Sequence, residues 1–188
     1  FQILYVSIVD QYKHQWHIVE AVAKLRKEGY PVVLNLVGPS YLPAKKRLME
    51  SINKFDVNDE WVKYHGPVPY LELHHIYKEA HLGVFASSCE NLPIILLETM
   101  ASGLPIACSN KGPMPEVLGN AGIYFDPERS IEVYHAIKKL IDNAQLRSEK
   151  SQASFHKVKR YSWDVCAFET FSFLERVAIN HHQSLCMK

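Results

Sequence analysis

Apolar residues in this chain fall into short continuous runs, separated by longer stretches in which they recur every three or four positions. The runs QILYVSIV (2–9), VVLNLV (32–37), WVKYH (61–65), LGVFA (82–86), PIACS (105–109) and GIYF (122–125) predict six strands. Several are almost wholly apolar, as strands buried on both faces of a parallel sheet must be. Between them, QWHIVEAVAKLRKEG (15–29), PAKKRLMESINKF (43–55), YLELHHIYKEA (70–80) and PIILLETMASG (93–103) predict helices. The first places Ile18, Ala21, Val22 and Leu25 on one face and closes at Gly29, a C-cap residue. Beyond Asp126–Pro127 the pattern is helical, over 130–144, 145–160 and 162–179. In the last stretch Trp163, Ala167, Phe171, Leu174 and Ala178 form one stripe behind Ser162, an N-cap.

Strand–helix alternation of this kind implies right-handed crossovers and a doubly wound, mainly parallel six-stranded α/β sheet, with helices on both faces and a helical C-terminal tail. The expected organisation is one domain over 1–180 and a short tail at 181–188. Ligands of such sheets bind outside the carboxyl ends of the strands. The loops to interrogate therefore follow Val9, Val37, His65, Ala86 and Ser109.

Composition narrows the function by exclusion. The 188 residues are 47% hydrophobic and 22% charged, which excludes disorder, and 21 basic against 20 acidic residues give no field to attract nucleic acid. No apolar run approaches the ~20 residues that cross a bilayer, and no secretory signal pattern is present. The chain opens inside an apolar run without a methionine, so a piece of a longer, cytoplasmic protein is expected. Cys89, Cys108, Cys166 and Cys186 lie too far apart for a metal or redox motif. The adjacent pairs His74–His75 and His181–His182 should point to different helix faces and make poor joint ligands. No metal is expected.

Two glutamates, Glu90 and Glu98, bracket the apolar run NLPIILL. Glu20 and Glu28 repeat the interval within one helix, where solvated surface is the expectation. Glu90 differs because it follows a strand, in a loop of small residues (Ser87, Ser88, Cys89), and Pro93 then starts a helix. Glu98 lies farther along that helix. Backbone N–H groups and the helix dipole between the two acids attract an anion, so diphosphate on the amides and hydroxyls on the acids suit a sugar nucleotide.

The stretch ENLPIILLETMASGLPI resembles the E-x7-E signature of retaining glycosyltransferases built from two facing Rossmann-like domains, in their nucleotide-binding C-terminal half. YVSIVDQYKHQ, NLVGP, VKYHGPVPYLELHHIYKEAHLGVFASSCE and SNKGPMPEVLGNAGIYFDP extend the resemblance over essentially the whole chain. It implies a Rossmann-like fold and an NDP-sugar donor, GDP-mannose preferred over a UDP-sugar. The acceptor would be a glycan or lipid-linked sugar, held by an N-terminal domain this chain lacks, in polysaccharide assembly for a cell envelope. Such a half alone would bind nucleotide weakly and turn over nothing. The resemblance implies no cofactor, Glu90 on the donor hexose and Glu98 on the ribose diol. It also implies Lys13 against the leaving diphosphate, with Ser7, Asn91 and the amides near Leu92, Ile94 and Ile95 around phosphate or sugar oxygens. Gly66, Pro67 and Val68 would border the base.

Ser7-Ile8 stands where the family has Gly-Arg, and Lys111 is a candidate replacement cation. A non-catalytic sugar-nucleotide-binding domain and a sugar-nucleotide epimerase stay open as alternatives. The remaining candidates read as structure: Trp16, Trp61 and Trp163 as packing residues, Met49, Met100 and Met114 as filler. His14 lies near the phosphate loop, and Glu116 either caps a helix or meets the donor. The basic run HKVKR (156–160) either ends a solvated helix or makes a peripheral contact with acidic lipid at the inner face of a membrane.

Overall fold

The computed structural model describes residues 1–186, with side chains to His181. Six strands form one parallel sheet: β1 (Gln2–Val6), β2 (Val33–Val37), β3 (Val62–Gly66), β4 (Leu82–Phe85), β5 (Ile106–Ser109) and β6 (Gly122–Phe125). Their order is β3-β2-β1-β4-β5-β6, so the direction of winding reverses between the neighbours β1 and β4. A crevice opens at the carboxyl ends of strands where winding reverses. The doubly wound sheet expected from the periodicity is the one observed, with every strand located to within a few residues.

The helices are α1 (Gln15–Lys27), α2 (Leu42–Phe55), α3 (Leu73–Glu79), α4 (Ile94–Ala101), α5 (Met114–Leu118), α6 (Ser130–Asp142), α7 (Ala144–Val158) and α8 (Trp163–Cys186). α1 ends as its glycine demands. Gly29 adopts φ +90°, the Gly29 N–H donates to the Arg26 carbonyl at 3.0 Å, and the Tyr30 N–H reaches back to Leu25 at 3.1 Å. This left-handed turn satisfies carbonyls the helix leaves open. α3 begins later than its pattern predicts, because Tyr70–Glu72 forms a 3₁₀ turn first.

The central strands β1, β4 and β5 are buried on both faces. Ile3, Tyr5, Leu34, Leu36, Leu82 and Phe85 are fully buried, each contributing about 1.5–3 kcal/mol of transfer free energy. Trp16 and Trp61 are buried, as are Met100 and Met114, whereas Met49 is exposed. The buried carboxylate of Asp56 accepts from the N–H groups of Glu60, Trp61 and Val62 at 3.0, 3.0 and 2.7 Å, fixing the entry into β3.

The chain divides into two compact units, 1–157 and 158–188. The expected boundary at residue 180 falls inside α8. In the second unit the Ser162 hydroxyl accepts from the Val165 N–H at 3.2 Å, the cap its sequence predicts. Trp163 corrects an expectation: at 78% exposure it is no packing residue within its unit, since α8 is a lone helix with apolar residues around most of its girth. Residues 187–188 of the expected tail, and the side chains of His182 and Cys186, lie outside the described residues.

Two further expectations change. Glu28 is not merely solvated: its carboxylate accepts from the Tyr134 hydroxyl at 2.6 Å and the Lys138 ammonium at 2.6 Å, tying α1 to α6. Those bonds hold its pKa below the ordinary glutamate range. His74 and His75, expected to diverge, lean together with ring centroids 3.8 Å apart, because successive residues at a helix start are close enough for long side chains to meet.

Candidate functional site

The loops after β1 and β4 are joined residue by residue. The Ser88 N–H donates to the Tyr12 carbonyl at 2.8 Å, and the His14 Nε2 and Ser88 Oγ meet at 2.8 Å. Lys13 Nζ donates to the Glu90 carboxylate. Lys13 is only 4% exposed, and its backbone is fixed from below where the Tyr5 hydroxyl donates to its carbonyl at 3.1 Å. The Tyr12 and Phe85 ring centroids lie 5.0 and 5.4 Å from the ammonium. Lys13 and Glu90, assigned to one site from separate motifs, are thus brought together across 77 residues.

His14 makes the sharp bend between a 3₁₀ turn at Gln11–Lys13 and α1, with φ +53°. Its Nδ1 is buried without a hydrogen-bond partner. Desolvation, reinforced by the neighbouring His17, lowers its pKa below the ordinary histidine value, so the ring stays neutral beside Lys13.

Ser7 is held by its own neighbours. It is buried at the end of β1, its hydroxyl donating to the Ile8 carbonyl and accepting from Gln15 Nε2 at 2.9 Å. It braces the loop. Gly38 packs against it: a Cβ there would stand 2.2 Å from the Ser7 carbonyl oxygen, and φ is +138°. The Gly38 N–H also bonds the Gly66 carbonyl at 2.8 Å, which links the loops after β1, β2 and β3.

α4 begins at Ile94 with no side-chain cap on its first turn. The Ile94 N–H turns inward to the Leu92 carbonyl at 2.9 Å and the Leu97 N–H donates to the Pro93 carbonyl at 3.1 Å, so the N–H groups of Ile95 and Leu96 are those the helix start leaves open. Asn91, Leu92 and Ile94 are exposed around this turn. Ile95 and Val68 pack against one apolar cluster of Leu4, Val6, Val37, Tyr77 and Leu104, which brings the loop after β3 beside the start of α4. Gly66 turns with φ +68°, and Pro67 is exposed.

Glu98 does not share a partner with Glu90. It faces a groove of about 570 Å³ between α3 and α4, lined by Tyr70, Leu71, Leu73, His74, Tyr77 and Lys78. Burial raises its pKa above the ordinary glutamate value, opposed by the Tyr70 hydroxyl. The sequence reading missed Tyr70 and Tyr77 as lining of this groove, and did not foresee that His14 and Ser88 bond each other. A tyrosine directly after the Gly-Pro-Val-Pro turn was the available signal for Tyr70.

Lys111 is drawn elsewhere: its ammonium pairs with Asp126 at 2.9 Å, holding the Asp126 carboxyl below the usual range. Glu116 sits exposed in the first turn of α5, where an acid suits the helix dipole. Among the described residues no group of three His, Cys, Asp or Glu side chains is placed to hold a metal ion, and no helix is long and apolar enough to cross a membrane.

Comparison with known proteins bears on this geometry. The family profile described as glycosyl transferases group 1 matches residues 1–157. An O-antigen chain mannosyltransferase B of Escherichia coli is 26% identical over 90% of this chain and 44% of its own length. A probable sucrose-phosphate synthase of Thermosipho melanesiensis is 27% identical over 93% of this chain and 41% of its own. The chain thus spans less than half of each of these relatives. Among solved structures, Anabaena Alr3699/HepE in complex with UDP superposes with a TM-score of 0.79 at 19% identity, covering 95% of this chain and 48% of that one. The C-terminal domain of a Francisella tularensis group 1 glycosyl transferase, LpcC, superposes with a TM-score of 0.76 at 21% identity, over 85% of each chain.

Proposed function

Since the chain belongs to the group 1 glycosyl transferases, we propose that it is the donor half of a retaining hexosyltransferase, binding an NDP-sugar in the crevice between the β1 and β4 loops. One observation carries this reading: the buried Lys13 meets Glu90 where the sheet reverses its winding. A cation there would suit a diphosphate, and a carboxylate there a hexose, which supports the reading.

In the reaction the bond between the anomeric carbon and the diphosphate oxygen breaks, leaving negative charge on the diphosphate and positive charge on the sugar. Lys13 takes up the first, aided by the open N–H groups at the start of α4. Glu90 faces the second. Glu98, in its groove, accepts from the ribose hydroxyls, with Val68 and Tyr70 beside the base. These positive groups suffice for a diphosphate, so binding proceeds without metal and survives a chelator.

GDP-mannose is the proposed donor, supported by the mannosyltransferase relative and by the GPMPEVLGNAGIYFDP segment. UDP held by the structural neighbour supports a UDP-sugar as the second reading. The hexose passes to a glycan or lipid-linked acceptor held by the remainder of a longer protein. That protein would work in the cytoplasm, at the inner face of a membrane.

A thermal-shift panel of GDP, UDP and their sugars tests the reading. Ligand at about 100 times Kd adds ~2.7 kcal/mol, roughly 5–10 °C for a chain of this size. The base giving the larger shift identifies the donor class. No shift with any of the four at millimolar concentration refutes the reading.

A further inference from the structure

Lys13 is almost wholly buried, and its ammonium finds its anionic partner in Glu90, whose side chain is 16% exposed. The loops carrying both are held: the Tyr5 hydroxyl fixes the Lys13 carbonyl at 3.1 Å, and the Ser88 N–H fixes the Tyr12 carbonyl at 2.8 Å. A buried ammonium needs an anion, and removing one partner strands the other. A diphosphate that reaches Lys13 therefore replaces a carboxylate by a side-chain exchange, and Glu90 must find new donors. A hexose on the diphosphate supplies them, because its hydroxyls donate to a carboxylate. A bare nucleoside diphosphate supplies none. It sets a terminal phosphate dianion beside a carboxylate that has just lost its cation, and like charges that close repel strongly.

We propose that Glu90 is the residue by which the site distinguishes the nucleotide sugar from the nucleotide left after transfer, weakening the second and so favouring its release. This rests on the donor-domain reading above, and goes beyond a contact to the sugar in assigning Glu90 a cost levied on the product. The competition is for one ammonium group, since Lys111, the expected substitute, is paired with Asp126.

Calorimetric titration of GDP, UDP, GDP-mannose and UDP-glucose into the wild-type chain and Glu90→Gln decides it. In Glu90→Gln the nucleoside diphosphate that binds the wild type should bind about tenfold tighter, while its sugar gains nothing or weakens. Glu90→Ala should change in the same direction, which covers a folding defect peculiar to one variant, and melting temperatures without ligand check both. In a Lys13→Met background the gain from Glu90→Gln should shrink, since no ammonium remains to be freed. If wild type binds a nucleoside diphosphate but neither Glu90 variant binds it tighter than wild type does, the inference is overturned and the donor reading stands. A gain that persists in full without Lys13 also overturns it, because repulsion alone would then explain the effect. If the wild-type chain binds none of the four ligands, both fall.

Discussion

His14 and Ser88, 74 residues apart, meet at 2.8 Å and clip the loop after β1 onto the loop after β4. The bond sits one residue from Lys13 and two from Glu90, and sets the register in which ammonium and carboxylate face each other. His14 can serve because burial keeps it neutral; a charged ring there would add a cation beside Lys13 and leave both ring N–H groups seeking acceptors.

This gives a pH dependence with a definite sign. The folded-state pKa of His14 lies below the ordinary histidine value, so the stability it contributes is present above that value and lost as pH falls through the depressed one. Melting temperature should drop more between pH 7 and 5 in the wild type than in His14→Asn. Asparagine tolerates the left-handed backbone and can still bond Ser88 but does not titrate. Parallel pH curves would exclude the clip as the titrating element.

Glu98 titrates the other way. Burial raises its pKa, so the protonated form suits the fold; its stabilising contribution is present below the ordinary glutamate value and lost as pH rises through the raised one. Glu98→Gln should therefore melt higher than wild type at pH 7 and alike at pH 4, yet bind nucleotide more weakly. A variant that loses affinity while gaining stability marks a residue kept for ligand rather than for packing.

Gly38→Ala should destabilise the chain by about 2–4 kcal/mol, read as a lower midpoint in urea, because the new methyl group collides with the Ser7 carbonyl and the backbone is left-handed. Nucleotide affinity should fall with it, since Gly38 links three of the loops that frame the crevice. Unchanged affinity in the folded fraction would detach this glycine from the site.

Lys13→Ala should weaken nucleoside diphosphate binding about 10–100-fold, the worth of one charge-assisted hydrogen bond. Lys111→Ala should leave it within about twofold, because that ammonium is occupied by Asp126. Equal losses from both would return Lys111 to the phosphate site.

Local pattern determined most of the fold. Apolar runs such as 82–86 and 105–109 announced buried parallel strands, and Gly29 and Ser162 announced helix ends, because periodicity and backbone preference act over a few residues. The chain by itself could also nominate Glu90 and Glu98 from one stretch, and Lys13 through the family resemblance of the loop that carries it. What tertiary structure decided was which side chains meet. Lys13 with Glu90, His14 with Ser88 and Glu28 with Tyr134 lie 77, 74 and 106 residues apart. No local spacing encodes such contacts, since they arise only when crossovers carry distant loops to the same edge of the sheet. The same packing withdrew Ser7 into the core, turned Glu98 toward a groove of its own and tied Lys111 to Asp126. Each outcome was set by which neighbour could satisfy a polar group once water had been excluded from it.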